Sequence, residues 1–154
     1  MKAEIFIRPA TMADADYVGK RLRADDVREI EALGQDPVRA TRLCVASSDL
    51  AFTGWINGEP AMVFGCGKSL TSDWGEIWAL GTDVLNDVPR PMLTYGRKYL
   101  HAMLDVFPKL ENHCDARYAR ALKWLEKIGF QIEPPAPYGP KGAMFCRITA
   151  ERGE

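Results

Sequence analysis

The sequence predicts an α/β fold, a single domain with helices flanking a mixed central sheet. Three observations lead there. Apolar residues recur at helical spacing up to residue 46, and the pattern then changes period to strand-like runs. Asn57-Gly58 sits between two such runs, and it is the strongest short hairpin signal, because a type I′ turn needs positive φ at both central residues. A strand, a long amphipathic helix and another strand follow over residues 75–114, which defines a right-handed parallel crossover. A hairpin and a parallel pair in one sheet make that sheet mixed.

The elements follow in order. Glu4 to Ile7 form a short strand stopped by Arg8-Pro9. Thr11 caps a helix, with Asp14 three residues on and Ala15, Val18 and Leu22 inward. Asp25-Asp26 cap a second helix with Val27, Ile30 and Leu33 inward and Gly34 as its stop. Residues 36–46 form a third, with Pro37 in its first turn. Strands follow at residues 50–56, 61–67 and 76–82. Residues 90–107 are the clearest helix, with Leu93, Gly96, Leu100, Met103, Leu104 and Phe107 on one face and Pro108 closing it. Leu110 to Cys114 form a strand. Asp115 caps a helix from Arg117 to Ile128, with Ala121, Leu122, Leu125 and Ile128 inward and Gly129 as its C-cap. Phe130 to Ile132 is a strand, the Pro- and Gly-rich residues 134–142 are an irregular loop, and Ala143 to Ile148 is the last strand. The domain spans residues 1–150, with 151–154 as a polar tail.

Composition limits the function classes. The chain has 154 residues, 47% hydrophobic and 27% charged, which suits one domain with a real core. Twenty Lys and Arg against 21 Asp and Glu leave a net charge of −1, so a nucleic-acid binder driven by bulk charge is not expected. No apolar run approaches the ~18–20 residues that cross a bilayer, and the start lacks the apolar stretch of a signal peptide. Cys44, Cys66, Cys114 and Cys146 are scattered and expected as free thiols in a cytoplasmic setting. His113 and Cys114 lack a second ligand pair, so no metal site is expected.

Three phrases carry a resemblance. Ala121-Leu122-Lys123-Trp124-Leu125-Glu126-Lys127-Ile128-Gly129-Phe130, Glu76-Ile77-Trp78-Ala79-Leu80-Gly81-Thr82-Asp83, and Ile7-Arg8-Pro9-Ala10-Thr11 with Asp14 are similar to phrases of the GNAT acyltransferases, in the family's order. The Trp124-Leu125 variant, with the Pro-rich approach to the last strand, also resembles small GNAT-like proteins of tailed bacteriophages. The resemblance implies transfer of an acetyl group from acetyl-CoA to an amine on a small molecule or protein, in the cytoplasm, or the host cytoplasm for a phage protein. It allows a homodimer and implies neither a nucleic-acid nor a membrane partner. Carried over by position, Glu76 is the candidate base, and His113 is an alternative proton carrier. Leu80, Gly81 and Thr82 would hold the pantetheine through main-chain groups, with Asn112 reaching across the cleft.

Two departures stand beside these matches. The family's glycine-rich pyrophosphate loop is replaced by Val84-Leu85-Asn86-Asp87-Val88-Pro89-Arg90-Pro91, without glycine and with two donors removed by proline. Arg90, with backbone amides near residues 90–93, would then take the pyrophosphate. Leu125 stands where the family commonly has a Tyr that protonates the leaving thiolate, and Tyr118 lies about two turns earlier. An alternative reading follows: a GNAT-fold binding or phage assembly protein without acetyl transfer.

Overall fold

The computed structural model describes residues 2–153. Its strands are β1 (Ile5–Pro9), β2 (Leu50–Ile56), β3 (Glu59–Lys68), β4 (Gly75–Gly81), β5 (Lys109–Asp115), β6 (Gln131–Ile132), β7 (Ala136–Tyr138) and β8 (Ala143–Glu151). Its α-helices are α1 (Met12–Gly19), α2 (Ala24–Ala32), α3 (Pro37–Ser47), α4 (Pro89–Val106) and α5 (Ala119–Ile128). The strands form one mixed sheet of 8 in the order β1-β2-β3-β4-β5-β8-β6, with β7 on β8. All neighbours are antiparallel except β4 and β5, the expected parallel crossover.

Local chemistry sets most of the boundaries. Thr11 and Asp14 form a reciprocal capping box that starts α1. Asp36 accepts from Arg39 N–H, and Pro37 opens α3. Asn57 and Gly58 turn the β2–β3 hairpin with φ of 50° and 85°. Gly129 ends α5 at φ 131°.

Some expected features differ. Asp26 is not a cap: α2 starts from Arg23 without a side-chain cap, and Asp26 is buried on the inner face. Asp115 caps a turn rather than the helix, accepting from Arg117 N–H at 2.9 Å, while α5 begins after Tyr118. The loop over 134–142 contains β7, because Pro137 sits on an edge strand where its missing N–H costs no ladder bond. The last strand runs to Glu151, pairing with Lys109 of β5. Asp83–Asp87 form a 3-10 turn between β4 and α4.

Strand alternation sorts the core into two faces. Val63 and Leu80 join Val18, Ile30 and Ala40 under α1, α2 and α3. Leu100, Met103, Leu104, Leu110, Ile128 and Ile148 fill the other face under α4 and α5, with Phe64 and Ile77 against them. Gly96 lets the helices of that layer approach: a Cβ there would lie 3.0 Å from Ile128 Cγ2 and 3.1 Å from the Trp124 ring. Trp124 Nε1 also donates to Met92 C=O at 3.0 Å.

Candidate functional site

The central opening comes from a failure of pairing. β4 and β5 are in register only at Gly75 with Leu110 and Glu76 with Glu111. Beyond that point they part, and a cavity of about 450 Å³ opens between them. Its walls include Ile77, Trp78 and Ala79 of β4, Asn112, His113 and Cys114 of β5, and residues of α2, α4 and α5. Asn112 straps the parted strands. Its Nδ2 donates to Ile77 C=O, and its Oδ1 accepts from His113 N–H at 2.7 Å.

The far end of β4 is tied by α2. Asp26 Oδ2 accepts from Gly81 N–H at 2.8 Å, Oδ1 accepts from Tyr118 O–H at 2.7 Å, and the Arg23 guanidinium lies 3.3 Å away. Arg23 N–H donates to Gly81 C=O at 2.9 Å. Burial raises the Asp26 carboxyl above its ordinary range against the pull of Arg23, and burial pushes the Tyr118 hydroxyl up. Gly81 therefore spends both main-chain groups on α2. Thr82 N–H donates to Ala61 C=O, so it faces β3. By strand alternation, Ala79 turns its main chain the same way as Gly81, toward the gap.

Glu29, one turn after Asp26, also lines the cavity. Its Oε2 accepts from Asp115 N–H at 2.9 Å. Its carboxyl is pushed up to about 7, first by burial and then by the Asp26 and Asp115 charges, against the Asp115 N–H bond.

The residues singled out from sequence are partly brought together. His113 and Asn112 line the cavity. His113 stacks on Tyr138 with ring centroids 3.7 Å apart, and burial lowers its imidazole below the ordinary value. Glu76 is exposed beside Glu111, outside the cavity wall, and burial and the Glu111 charge raise its carboxyl. Leu80 is buried in the core under α1–α3, and Gly81 and Thr82 are engaged as described. Arg90 is exposed in the first turn of α4, outside the wall, whereas Arg120, Lys123 and Lys127 of α5 belong to it. Leu125 lines the cavity, as do Tyr95 and Tyr99.

Sequence reasoning misses Asp26 and Glu29: it takes the first as a cap and passes over the second. The signal is there, because Arg23, Asp26 and Glu29 recur every three residues, on the side of inward Ile30.

With this geometry in view, solved structures supply the comparison. An acetyltransferase of the GNAT family from Streptococcus pneumoniae superposes with a TM-score of 0.62 at 18% identity, covering 97% of this chain and 100% of that one. The fold is that of the GNAT acetyltransferases. The Escherichia coli ribosomal-protein-S18-alanine N-acetyltransferase has a TM-score of 0.65 at 18% identity, over 98% of this chain and 96% of that one. AAC(6')-Ib in complex with ribostamycin and coenzyme A has 0.66 at 16%, over 96% and 93%. No protein-family model matches the chain, and no curated protein matches it in sequence. In GNAT-fold terms, the parted β4 and β5 are the central split of the sheet, and α4 follows the loop that departs from the glycine-rich phrase.

Proposed function

We propose that this protein is an N-acyltransferase that moves an acetyl group from acetyl-CoA to the amine of a small molecule or protein. The observation that carries the reading is the split between β4 and β5, with a cavity behind it and the Ala79 main chain turned toward the gap. GNAT-fold neighbours with coenzyme A or acetyl-CoA bound support the same donor.

The residues present fit the two ends of that donor differently. The Ala79 N–H and C=O would pair with the amides of the pantetheine arm, in place of the expected residues 80–82. Leu93, Met92 and Leu125 offer apolar walls. Phosphates meet no amide cradle, because Pro89 and Pro91 have no N–H and Met92 N–H already donates to Val88 C=O at 3.1 Å. Arg120 and Lys123 would take the phosphate charge, with Arg90 outside the wall as a secondary contact.

Bound acetyl-CoA supplies an activated thioester. The chain's part is to orient the acceptor amine and receive its proton. His113 lines the cavity, and burial, which lowers its imidazole, favours the neutral ring that could accept a proton there; Glu76 would act from the rim through water. The Tyr118 O–H donates a hydrogen bond to Asp26 and Leu125 has no proton to give; the leaving sulfur would take its proton from water. A phage-encoded enzyme of this kind would meet its acceptor in the host cytoplasm.

Calorimetric titration with acetyl-CoA, followed by an acceptor panel of polyamines, aminoglycosides, amino acids and peptide N-termini, tests the reading. Binding that weakens with added salt, together with acetylation of a panel member, is expected. Absence of both at millimolar ligand overturns it. The start of α4, with Pro89 and Pro91 in its first turn, favours that second outcome, a GNAT-fold binding or assembly module.

A further inference from the structure

We propose that Glu29, on α2, is the catalytic base that receives the acceptor's proton; this rests on the acetyl-transfer reading above. Three observations place it there. Glu29 belongs to the wall of the cavity opened by the strand split, whereas Glu76 is exposed outside that wall. Its Oε2 accepts from the Asp115 N–H at the end of β5, and the Cys114 thiol bonds the same carboxyl, so the carboxylate is held in place against β5. Its helix is itself anchored to β4 through Asp26 and Gly81, so the base is positioned relative to both parted strands.

The groups around Glu29 decide its protonation. Asp26 precedes it by one turn on α2, and Cys114 and Asp115 face it from β5, the Cys114 thiol bonding its carboxyl. Tyr118 also lines the cavity, with its hydroxyl committed to Asp26. Arg117 is spent on Asp115, bonding its carboxylate at 2.7 Å. Among these described neighbours the nearest charges, Asp26 and Asp115, are both negative and add to burial, which holds the carboxyl near neutrality.

The step balances in atoms and charge. The lone pair of the neutral amine attacks the thioester carbonyl carbon and the C–N bond forms. The C–S bond breaks with its electron pair leaving on sulfur. The proton lost by nitrogen goes to the Glu29 carboxylate, sulfur takes a proton from water, and the hydroxide so formed is neutralised by the Glu29 proton. No oxidant, reductant or further co-reactant is needed.

The test compares Glu29→Gln, Glu76→Gln and His113→Ala with the wild type, using the acceptor that the panel identifies. The amide oxygen introduced by Glu29→Gln can still accept the Asp115 N–H, so folding should persist, and a thermal melt together with acetyl-CoA titration checks this. We expect Glu29→Gln to bind acetyl-CoA as the wild type does and to lose roughly 10²–10⁴-fold in kcat. The wild-type rate should rise with pH through about 7, and that limb should vanish in the variant. Carboxylate NMR of the free protein should show one glutamate titrating near neutrality and absent in Glu29→Gln, a readout independent of turnover. If Glu29→Gln unfolds, Glu29→Asp replaces it: a carboxylate shortened by one methylene should keep the NMR titration and lose rate. Unchanged kcat and pH profile in Glu29→Gln, or a loss confined to Glu76→Gln or His113→Ala, overturns the assignment while leaving the transferase reading intact. A wild type that transfers to no acceptor and binds no acetyl-CoA overturns both.

Discussion

On the α2 side of the split, polar groups are buried or half-buried and matched: Asp26 gathers Gly81 N–H, Tyr118 O–H and the Arg23 guanidinium, and Glu29 takes Asp115 N–H. On the α4–α5 side the wall is largely apolar, with Met92, Leu93, Gly96 and Leu125 facing the cavity and cations of α5 along it. The contrast fits the two jobs that the proposed transfer asks of one cleft. Buried, hydrogen-bonded carboxylates hold strand ends and tune proton affinity in a low dielectric. An apolar wall accepts a long flexible chain with little desolvation cost.

The hardest way to break the comparison is Asp26→Ala. It leaves Gly81 N–H, Tyr118 O–H and Arg23 without their acceptor, and removing one partner of a buried ion pair costs about 3–5 kcal/mol. Urea denaturation should show that loss, and a change under ~1 kcal/mol would mean that the α2 wall does not hold β4.

The pH dependence of stability sharpens the same side. Glu29 titrates near 4.5 in the unfolded chain and about 7 in the folded one, so the folded state holds its proton more tightly. That contribution is complete below pH 4.5 and is lost as pH rises through about 7. Its full size is roughly 3 kcal/mol, and Asp26, also raised, acts in the same direction. Asp115 acts oppositely: its Arg117 bonds lower the carboxyl, so its contribution fades only as acid protonates it below the ordinary range. Denaturation curves from pH 4.5 to 8 should therefore decline in the wild type and flatten in Glu29→Gln; parallel curves would contradict the assigned burial of this carboxylate.

The apolar wall is tested by Gly96→Leu. A side chain there meets Ile128 and Trp124 and must wedge α4 from α5, at about 1–3 kcal/mol of overpacking. A lower melting temperature with weakened acetyl-CoA binding is expected, and unaltered binding would show that this wall does not shape the donor site. Smallest is Asn112→Ala, which removes the strap to Ile77 C=O and should cost ~1 kcal/mol by thermal melting. If amide exchange at Ala79 does not quicken in that variant, the strap does not hold the split.

Legibility differs by the range of the interaction. The Thr11–Asp14 box, the Asn57-Gly58 turn and the Gly129 stop are decided within about one helical turn, so the sequence shows them directly. The crossover from β4 to β5 is equally readable, because chain handedness leaves one solution. Pro137 conceals β7, since a strand containing proline is visible only once the sheet edge beside it exists. Asn112 and His113 line the cavity because they sit on a strand whose place the crossover sets. Arg90 stands where a phosphate ligand is wanted, but the 3-10 turn and two prolines present it outside the wall.

The sequence by itself determined the order of strands and helices apart from β7, the hairpin, the parallel crossover and the proline in the first turn of α4, all set by backbone geometry over a few residues. Only the tertiary structure decided where β4 and β5 part and which groups meet in the gap. Asp26 and Gly81, or Glu29 and Asp115, are far apart along the chain, and an acidic residue on an amphipathic helix looks solvated until the sheet beside it supplies a buried N–H.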